Sequence, residues 1–217
     1  MFYETGTHKQ HGFRHNPFKA FISPRPIGWI STVSAQGANN VAPYSFFNGV
    51  SSEPPCVMFA SGAHPNHGGK KDSQINAETT GEFVCSIVSH AQREAMNHTS
   101  IHLPYGQDEL PGAGLEGEPS TLVKPLRVKG APVHLECKYL QSLQMPSSRK
   151  GMENWVIFGQ VIGFHVDEAI IKDGLVDVTL YQPVSRLGYM DYATITEVYA
   201  MDRPDESGAE LQAGGAK

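Results

Sequence analysis

Between residues 133 and 139, Val133, Leu135, Cys137 and Tyr139 alternate with His134, Glu136 and Lys138. A strict period of two, apolar on one side, is the pattern of a strand with one face buried. The other apolar runs are short: 27–34, 41–47, 56–60, 83–88, 155–166 and 175–180. Gly, Pro, Asn or Asp punctuates the gaps between them. The 22 glycines and 15 prolines are spread along the chain, as many short strands joined by turns require. Residues 35–40 are turn-prone between β-prone flanks and read as a hairpin. Gly159 and Gly163 inside 155–166 suggest a bulge or a close backbone approach.

Helical signals are few. Asp72 or Ser73 is a plausible N-cap, and Gly81 a plausible stop, for a helix of about two turns. Residues 91–97 suit a second short helix. Strands and helices do not alternate, and neither GxGxxG nor GxxxxGK[ST] occurs, which argues against a nucleotide-binding parallel sheet. The expected fold is mainly β, a Greek-key or split barrel of about seven strands with a few short helices.

The chain has 217 residues, of which 40% are hydrophobic and 18% charged, enough apolar content to bury a sizeable core. One domain over 1–201 is expected, followed by a tail, 202–217, too poor in apolar residues to fold. The net charge of −5 and the lack of a basic run argue against nucleic acid as a partner. No apolar stretch reaches the roughly 18 residues of a membrane span. The first residues carry no secretory pattern, so a cytoplasmic location is expected, and the sequon Asn97-His98-Thr99 reads as chance. Cys56, Cys85 and Cys137 are odd in number, lack CxxC spacing and sit in apolar runs, so they read as small buried hydrophobes. His8, His11 and His15 are interrupted by Gly6 and Gly12 and lack a completing carboxylate, so no metal is expected there. Residues 99–120, rich in Pro, Gly and acidic groups, form a long excursion of the kind that is often functional.

No GxSxG, HExxH or close nucleophile–base spacing appears. The informative stretch is 23–73. Small hydroxylated residues, aromatics and prolines gather there where a plain core strand would carry Val, Ile and Leu. Such a mixture suits a flat ring with polar edges, covered by apolar or aromatic groups on its face. Lys70-Lys71-Asp72-Ser73 adds cations and a hydroxyl at an expected helix start, where free N–H groups and the helix dipole favour an anion. Read alone, the same residues also suit a solvated lysine pair beside an ordinary capped helix.

Arg25–Thr32 (Arg-Pro-Ile-Gly-Trp-Ile-Ser-Thr), Asn40–Asn48 (Asn-Val-Ala-Pro-Tyr-Ser-Phe-Phe-Asn) and Lys71-Asp72-Ser73-x-x-Asn76 together resemble the flavin reductase-like family with its FMN-binding split barrel. Phe158–His165 and Pro183–Tyr192 resemble its later segments, so the similarity spans roughly residues 17–200. The resemblance implies a homodimer with noncovalent FMN near the subunit interface. It puts Trp29, Ser31 and Thr32 by the ring or ribityl chain, and Tyr44, Ser45, Phe46, Phe47 and Asn48 around the isoalloxazine. Ser61 and Gly62 would approach the ribityl phosphate beside Lys71, Asp72 and Ser73. His165 would face the nicotinamide side, and Arg186 would close the site or the dimer contact. Each has a plainer reading too: Trp29 and Phe46 as core, Ser45 and Asn48 as turn residues, Asp72 as an N-cap, His165 as a surface histidine, Arg186 as an ion-pair partner. Tyr189 stands where the resemblance leads one to expect a second glycine after Gly188.

The expected function is that of an oxidoreductase in which NAD(P)H delivers hydride to FMN and electrons pass to an acceptor, a partner monooxygenase among the candidates. Hydride transfer needs no catalytic triad, since the cofactor carries the chemistry. No nicotinamide fingerprint is present, so an FMN-bearing electron carrier without NAD(P)H turnover stays open, as does a flavin-binding module.

Overall fold

The computed structural model describes residues 1–64, 69–201, 203–204 and 210–211. The remainder of the expected tail, 202–217, lies outside the described residues. Seven strands form one antiparallel sheet. They are β1 (Gly28–Val33), β2 (Asn39–Tyr44), β3 (Phe47–Ser52), β4 (Pro55–Ser61), β5 (Glu82–Ile87), β6 (Val133–Met145) and β7 (Asn154–Val166). Their spatial order is β2-β1-β5-β6-β7-β4-β3. The sheet curls until β2 approaches β4, giving a split barrel. Two helices of note pack on it: α1 (Asp72–Thr80) and α2 (Arg93–His98).

The expected alternation over 133–139 is the start of the thirteen-residue strand β6, but its burial is not confined to the apolar face: His134 and Glu136 are buried with Cys137, while Val133, Leu135 and Tyr139 are half-buried. The β1–β2 hairpin turns through Gly37, whose φ of 89° lies in the left-handed region open to glycine. Both glycines of β7 sit at register shifts against β6, the expected bulges. A Cβ on Gly159 would lie 2.3 Å from two ring carbons of Phe83, so the backbone there approaches an aromatic core residue closely.

Three further local expectations change. The apolar run 41–47 is not one strand: the chain leaves β2 after Tyr44 and reverses, so that Phe47 opens β3. The run 175–180 forms only a two-residue strand, Leu175–Val176, before a helical turn over Val178–Tyr181. The Asp177 carboxylate accepts the Thr179 N–H at 2.9 Å, and this cap starts the helical turn against the β propensity of the side chains. The N-cap of α1 is Lys71, without a side-chain cap, while Asp72 and Ser73 lie in the first turn; Gly81 ends the helix at φ 75°.

Two apolar clusters hold the barrel. The inner one includes Ile30, Tyr44, Phe47, Phe59, Phe83 and Ile157, with Ala77 of α1 packed into it. The outer one gathers Trp29, Val41, Met96, Leu110, Val128 and Val184 beneath α2 and the 99–116 excursion. Helix α1 is unusual in burying mostly polar side chains, Ser73, Gln74 and Asn76 beside Ala77. Most buried polar groups are hydrogen-bonded, so this face needs polar partners. Those partners define the site.

Candidate functional site

Asn40 on β2 donates from Nδ2 to Ser73 Oγ at 2.8 Å and to Thr32 Oγ1 at 3.1 Å. Asn76, one helical turn after Ser73, donates to the same Thr32 oxygen at 3.1 Å, and its Oδ1 accepts from the Tyr105 hydroxyl at 3.0 Å. The Tyr44 hydroxyl meets the hydroxyls of Ser73 and Ser61. Burial pushes the Tyr44 phenol up to about 12, against the opposing effect of those two hydroxyls. A connected set of hydroxyls and amides thus runs from β1 and β2 to the first turn of α1.

Asn40, Tyr44 and Ser73 of this set line a cavity of about 240 Å³ whose walls also include Lys71, Asp72, His64, His102 and Glu109. Gln74 and Ile75 are the first α1 residues whose N–H groups find a backbone acceptor, both at Lys71 O. The preceding N–H groups are available to a ligand. Burial, then the charge of Lys19, lowers the Lys71 pKa. Lys71 Nζ lies 5.9 Å from the centre of the Tyr44 ring. Lys70 points elsewhere: it pairs with Glu78 at 2.6 Å and covers the Trp155 ring at 4.5 Å.

The excursion 99–116 forms the far wall. Trp29 Nε1 donates to Thr99 Oγ1 at 2.9 Å, Asn39 donates to Asp108 at 3.3 Å, and Val41 N–H donates to Glu109 Oε2 at 2.8 Å. Glu109 is buried, and its carboxyl is pushed up to about 7 by that burial, with Asp72 and Asp108 adding to the rise.

The cavity brings together Tyr44, Lys71, Asp72 and Ser73 among the residues singled out from sequence, while Thr32 and Ser61 stand behind its wall in contact with Asn40 and Tyr44. Exposed Gly62 follows Ser61 directly. Ser45 and half-buried Phe46 lie in the β2–β3 turn, where Phe46 meets the Lys19 ammonium at 5.9 Å and the Arg25 guanidinium at 5.6 Å. Phe47 points into the barrel core against Gly28, and exposed Asn48 accepts the Gly49 N–H at 2.9 Å. Trp29 belongs to the outer cluster, and Ser31 pairs with Val41 of that cluster; the Ser31 hydroxyl is buried without a partner.

His165 and Arg186 also lie outside this cavity. His165 lines a separate cavity of about 430 Å³ with Arg127 and His134, and donates from Nε2 to Glu136 Oε1 at 2.5 Å. His134 is pushed down to about 4 by burial, then by Arg127 and His165. Arg186 donates to Tyr192 Oη at 2.5 Å and to Tyr189 O at 2.6 Å. Its guanidinium lies 4.4 Å from the Tyr192 ring. Tyr189 has φ 54°, the left-handed conformation in which a glycine would be unstrained.

Asn40, Asn76, His64, His102, Tyr105 and Glu109 escape sequence reasoning as site residues. Asn40 opens one of the family-like motifs and Asn76 closes another, so their signal is present. His64, His102 and Glu109 lie in irregular segments where nothing in the local pattern marks them. Among the described residues no group of three or more His, Cys, Asp or Glu side chains is placed to hold a metal, and no helix is long and apolar enough to cross a membrane.

The arrangement can hold an anion at the start of α1 and a polyol along the hydroxyl–amide row. An uncharacterized protein of Halalkalibacterium halodurans is 36% identical over 84% of this chain and 87% of its own length. One from Aquifex aeolicus is 38% identical over 77% of this chain and 82% of its own. Among solved structures, nitrilotriacetate monooxygenase component B from Bacillus cereus has a TM-score of 0.82 at 27% identity, covering 93% of this chain and 98% of that one. The Pseudomonas fluorescens 2-nitrobenzoate 2-nitroreductase NbaA has a TM-score of 0.76 at 26% identity, covering 98% and 96%. Flavoredoxin of Desulfovibrio vulgaris shares the fold, with a TM-score of 0.70 at 19% identity over 93% and 97%. Residues 21–183 match the flavin reductase like domain, and the chain belongs to the flavin reductase-like family of split-barrel proteins.

Proposed function

We propose that this protein binds FMN noncovalently and works as an NAD(P)H-dependent oxidoreductase. The observation that carries the reading is the row Thr32–Asn40–Ser73–Tyr44–Ser61, which ends at Lys71 and the free N–H groups of α1. A phosphomonoester fits that end: it accepts from N–H and hydroxyl donors and neutralises Lys71. The hydroxyl–amide row suits a ribityl chain. A cavity of about 240 Å³ takes the phosphate and chain, and leaves the ring to the more open β2–β3 turn with Phe46.

When bound, FMN supplies the redox chemistry, taking a hydride from a nicotinamide and passing electrons to an acceptor. The chain's own residues would bind and orient the cofactor. Ser73 and Lys71 would hold the phosphate, and Tyr44, neutral at physiological pH, would act as a hydroxyl partner rather than an anion. A second copy of the chain is part of the proposal: Leu140, Leu143, Phe164 and Val166 on β6 and β7 are exposed apolar side chains of the kind a subunit interface covers. The structurally similar Bacillus cereus protein is a monooxygenase component, which supports a monooxygenase or another electron-accepting protein as partner.

The test is the visible spectrum of the purified protein after added FMN and gel filtration, followed by anaerobic mixing with NADH and NADPH. Flavin bands that co-elute and bleach with either nucleotide support the reductase. Retained flavin that neither nucleotide bleaches indicates an electron carrier or a flavin-binding module. No retained flavin sinks tight FMN binding.

A further inference from the structure

The cavity at the start of α1 gathers more basic side chains than the motif Lys71-Asp72-Ser73 accounts for. His64 follows β4, and its backbone N–H donates to Gly69 O at 2.8 Å. His102 arrives from the excursion, 38 positions later in sequence (102 − 64). Their ring centroids lie 5.7 Å apart, and both rings line the cavity with Lys71 and Ser73. His102 has its pKa lowered by burial, then by the charges of Lys71 and His64. Neither Lys71 nor His102 has a carboxylate within ion-pair distance among the described residues. Lys71 and His102 therefore repel each other when both are charged, and an anion between them removes that cost.

We propose that His64 and His102 are phosphate-binding residues of this cavity, so that flavin mononucleotide binds together with a proton. This inference rests on the FMN reading above. The proton comes from solvent and goes to an imidazole ring; no bond to the ligand forms or breaks. The other charged groups facing the pair are Lys71 and Asp72 from α1, Lys19 near Lys71, and Glu109 with its neighbour Asp108. Glu109 is turned to the Val41 N–H, and Asp72 lies in the first helical turn, so neither is an ion-pair partner of His102.

The sign follows from linkage. An anion raises the imidazole pKa in the complex above that in the free protein, so the histidine contribution to affinity is complete below the free-state pKa. It is lost as pH rises through the bound-state value. Riboflavin, which lacks the phosphate, gains nothing from these groups at any pH. The two histidines therefore also discriminate between the phosphorylated and unphosphorylated flavin.

The experiment is calorimetric titration of flavin-free protein with FMN and with riboflavin, at about pH 7 in two buffers of different ionisation heat, and across about pH 6 to about pH 8. The wild type is expected to take up a fraction of a proton with FMN and none with riboflavin, and to bind FMN about tenfold more weakly at the alkaline end. His102→Gln, at an exposed side chain, and the pair His64→Gln/His102→Gln should lower the uptake by half or more while retaining riboflavin affinity. FMN binding with the same proton uptake in both variants overturns the inference alone, and assigns the proton to Glu109 or the phosphate itself. No FMN binding at any pH overturns the flavin reading and this inference with it.

Discussion

Asn40 Nδ2 lies 2.8 Å from Ser73 Oγ, and this bond ties the edge strand β2 to the first turn of α1. It orients the Ser73 hydroxyl, which also meets the Tyr44 hydroxyl, at the wall of the cavity where an acceptor can bind. If that acceptor is the flavin phosphate, Ser73→Ala and Lys71→Ala each remove a charge-assisted contact worth about 1.5–3 kcal/mol. The expected result is FMN affinity lower by about tenfold to a hundredfold in each variant, read by flavin fluorescence titration. Unchanged affinity in both removes these residues from the site.

Glu109 gives stability a pH dependence of unusual sign for a carboxylate. Its folded-state pKa of about 7 lies above the unfolded value of about 4.3, so folding favours the protonated form. The stabilisation is complete below the unfolded value and is lost as pH rises through about 7. Glu109→Gln keeps the polar contact to the Val41 N–H and removes the titration. Its melting temperature should therefore decline less between about pH 5 and about pH 8 than that of the wild type. Parallel profiles would contradict this account.

Glu136 behaves in the opposite way. The side chain is fully buried and accepts the N–H of Thr121 at 2.7 Å, of Leu122 at 2.6 Å and of His165 Nε2 at 2.5 Å. Burial alone would raise its pKa, but the Thr121 N–H, His165 and the Leu122 N–H outweigh burial and hold it below the usual range. Its stabilisation is present above the unfolded pKa of about 4.3 and is lost as pH falls through the depressed folded value. Glu136→Ala strands three donors and should lower unfolding free energy by about 3 kcal/mol at neutral pH, measured by urea denaturation.

Gly159 and Gly28 are fixed by contact rather than by φ. A Cβ at Gly159 would sit 2.3 Å from the Phe83 ring, and one at Gly28 would sit 2.5 Å from Phe47 Cδ2. Both rings belong to the barrel core and cannot swing into solvent. Gly159→Ala and Gly28→Ala should each destabilise by about 1–3 kcal/mol, seen as a lower urea midpoint with an unchanged slope. A stability equal to the wild type would mean that the core has room the structure does not show.

Much of the barrel is legible in the sequence because strand patterning is local. The alternation at Val133–Tyr139, the turn at Gly37 and the bulges at Gly159 and Gly163 all depend on residues a few positions apart. Segment 175–180 departs from its strand pattern for a local reason as well: Val178, Leu180 and Tyr181 favour a strand, but the Asp177 cap to Thr179 starts a helical turn. Half of the site is legible in the same way, since Lys71, Asp72 and Ser73 lie at one turn of α1.

The rest of the site is decided by chain return. Asn40 reaches Ser73 across 33 positions, Val41 reaches Glu109 across 68, and Trp29 reaches Thr99 across 70. Sequence by itself determined that the chain is a mainly β protein, that a helix starts at a cation–hydroxyl motif and that the motifs resemble one family. Only tertiary structure decided that an irregular excursion brings His102 and Glu109 to that helix, and that His165 lines a different cavity. The physical reason is that periodicity records which face of an element is buried, whereas charge and hydrogen-bond partners across the barrel depend on register and loop path, which leave no periodic trace.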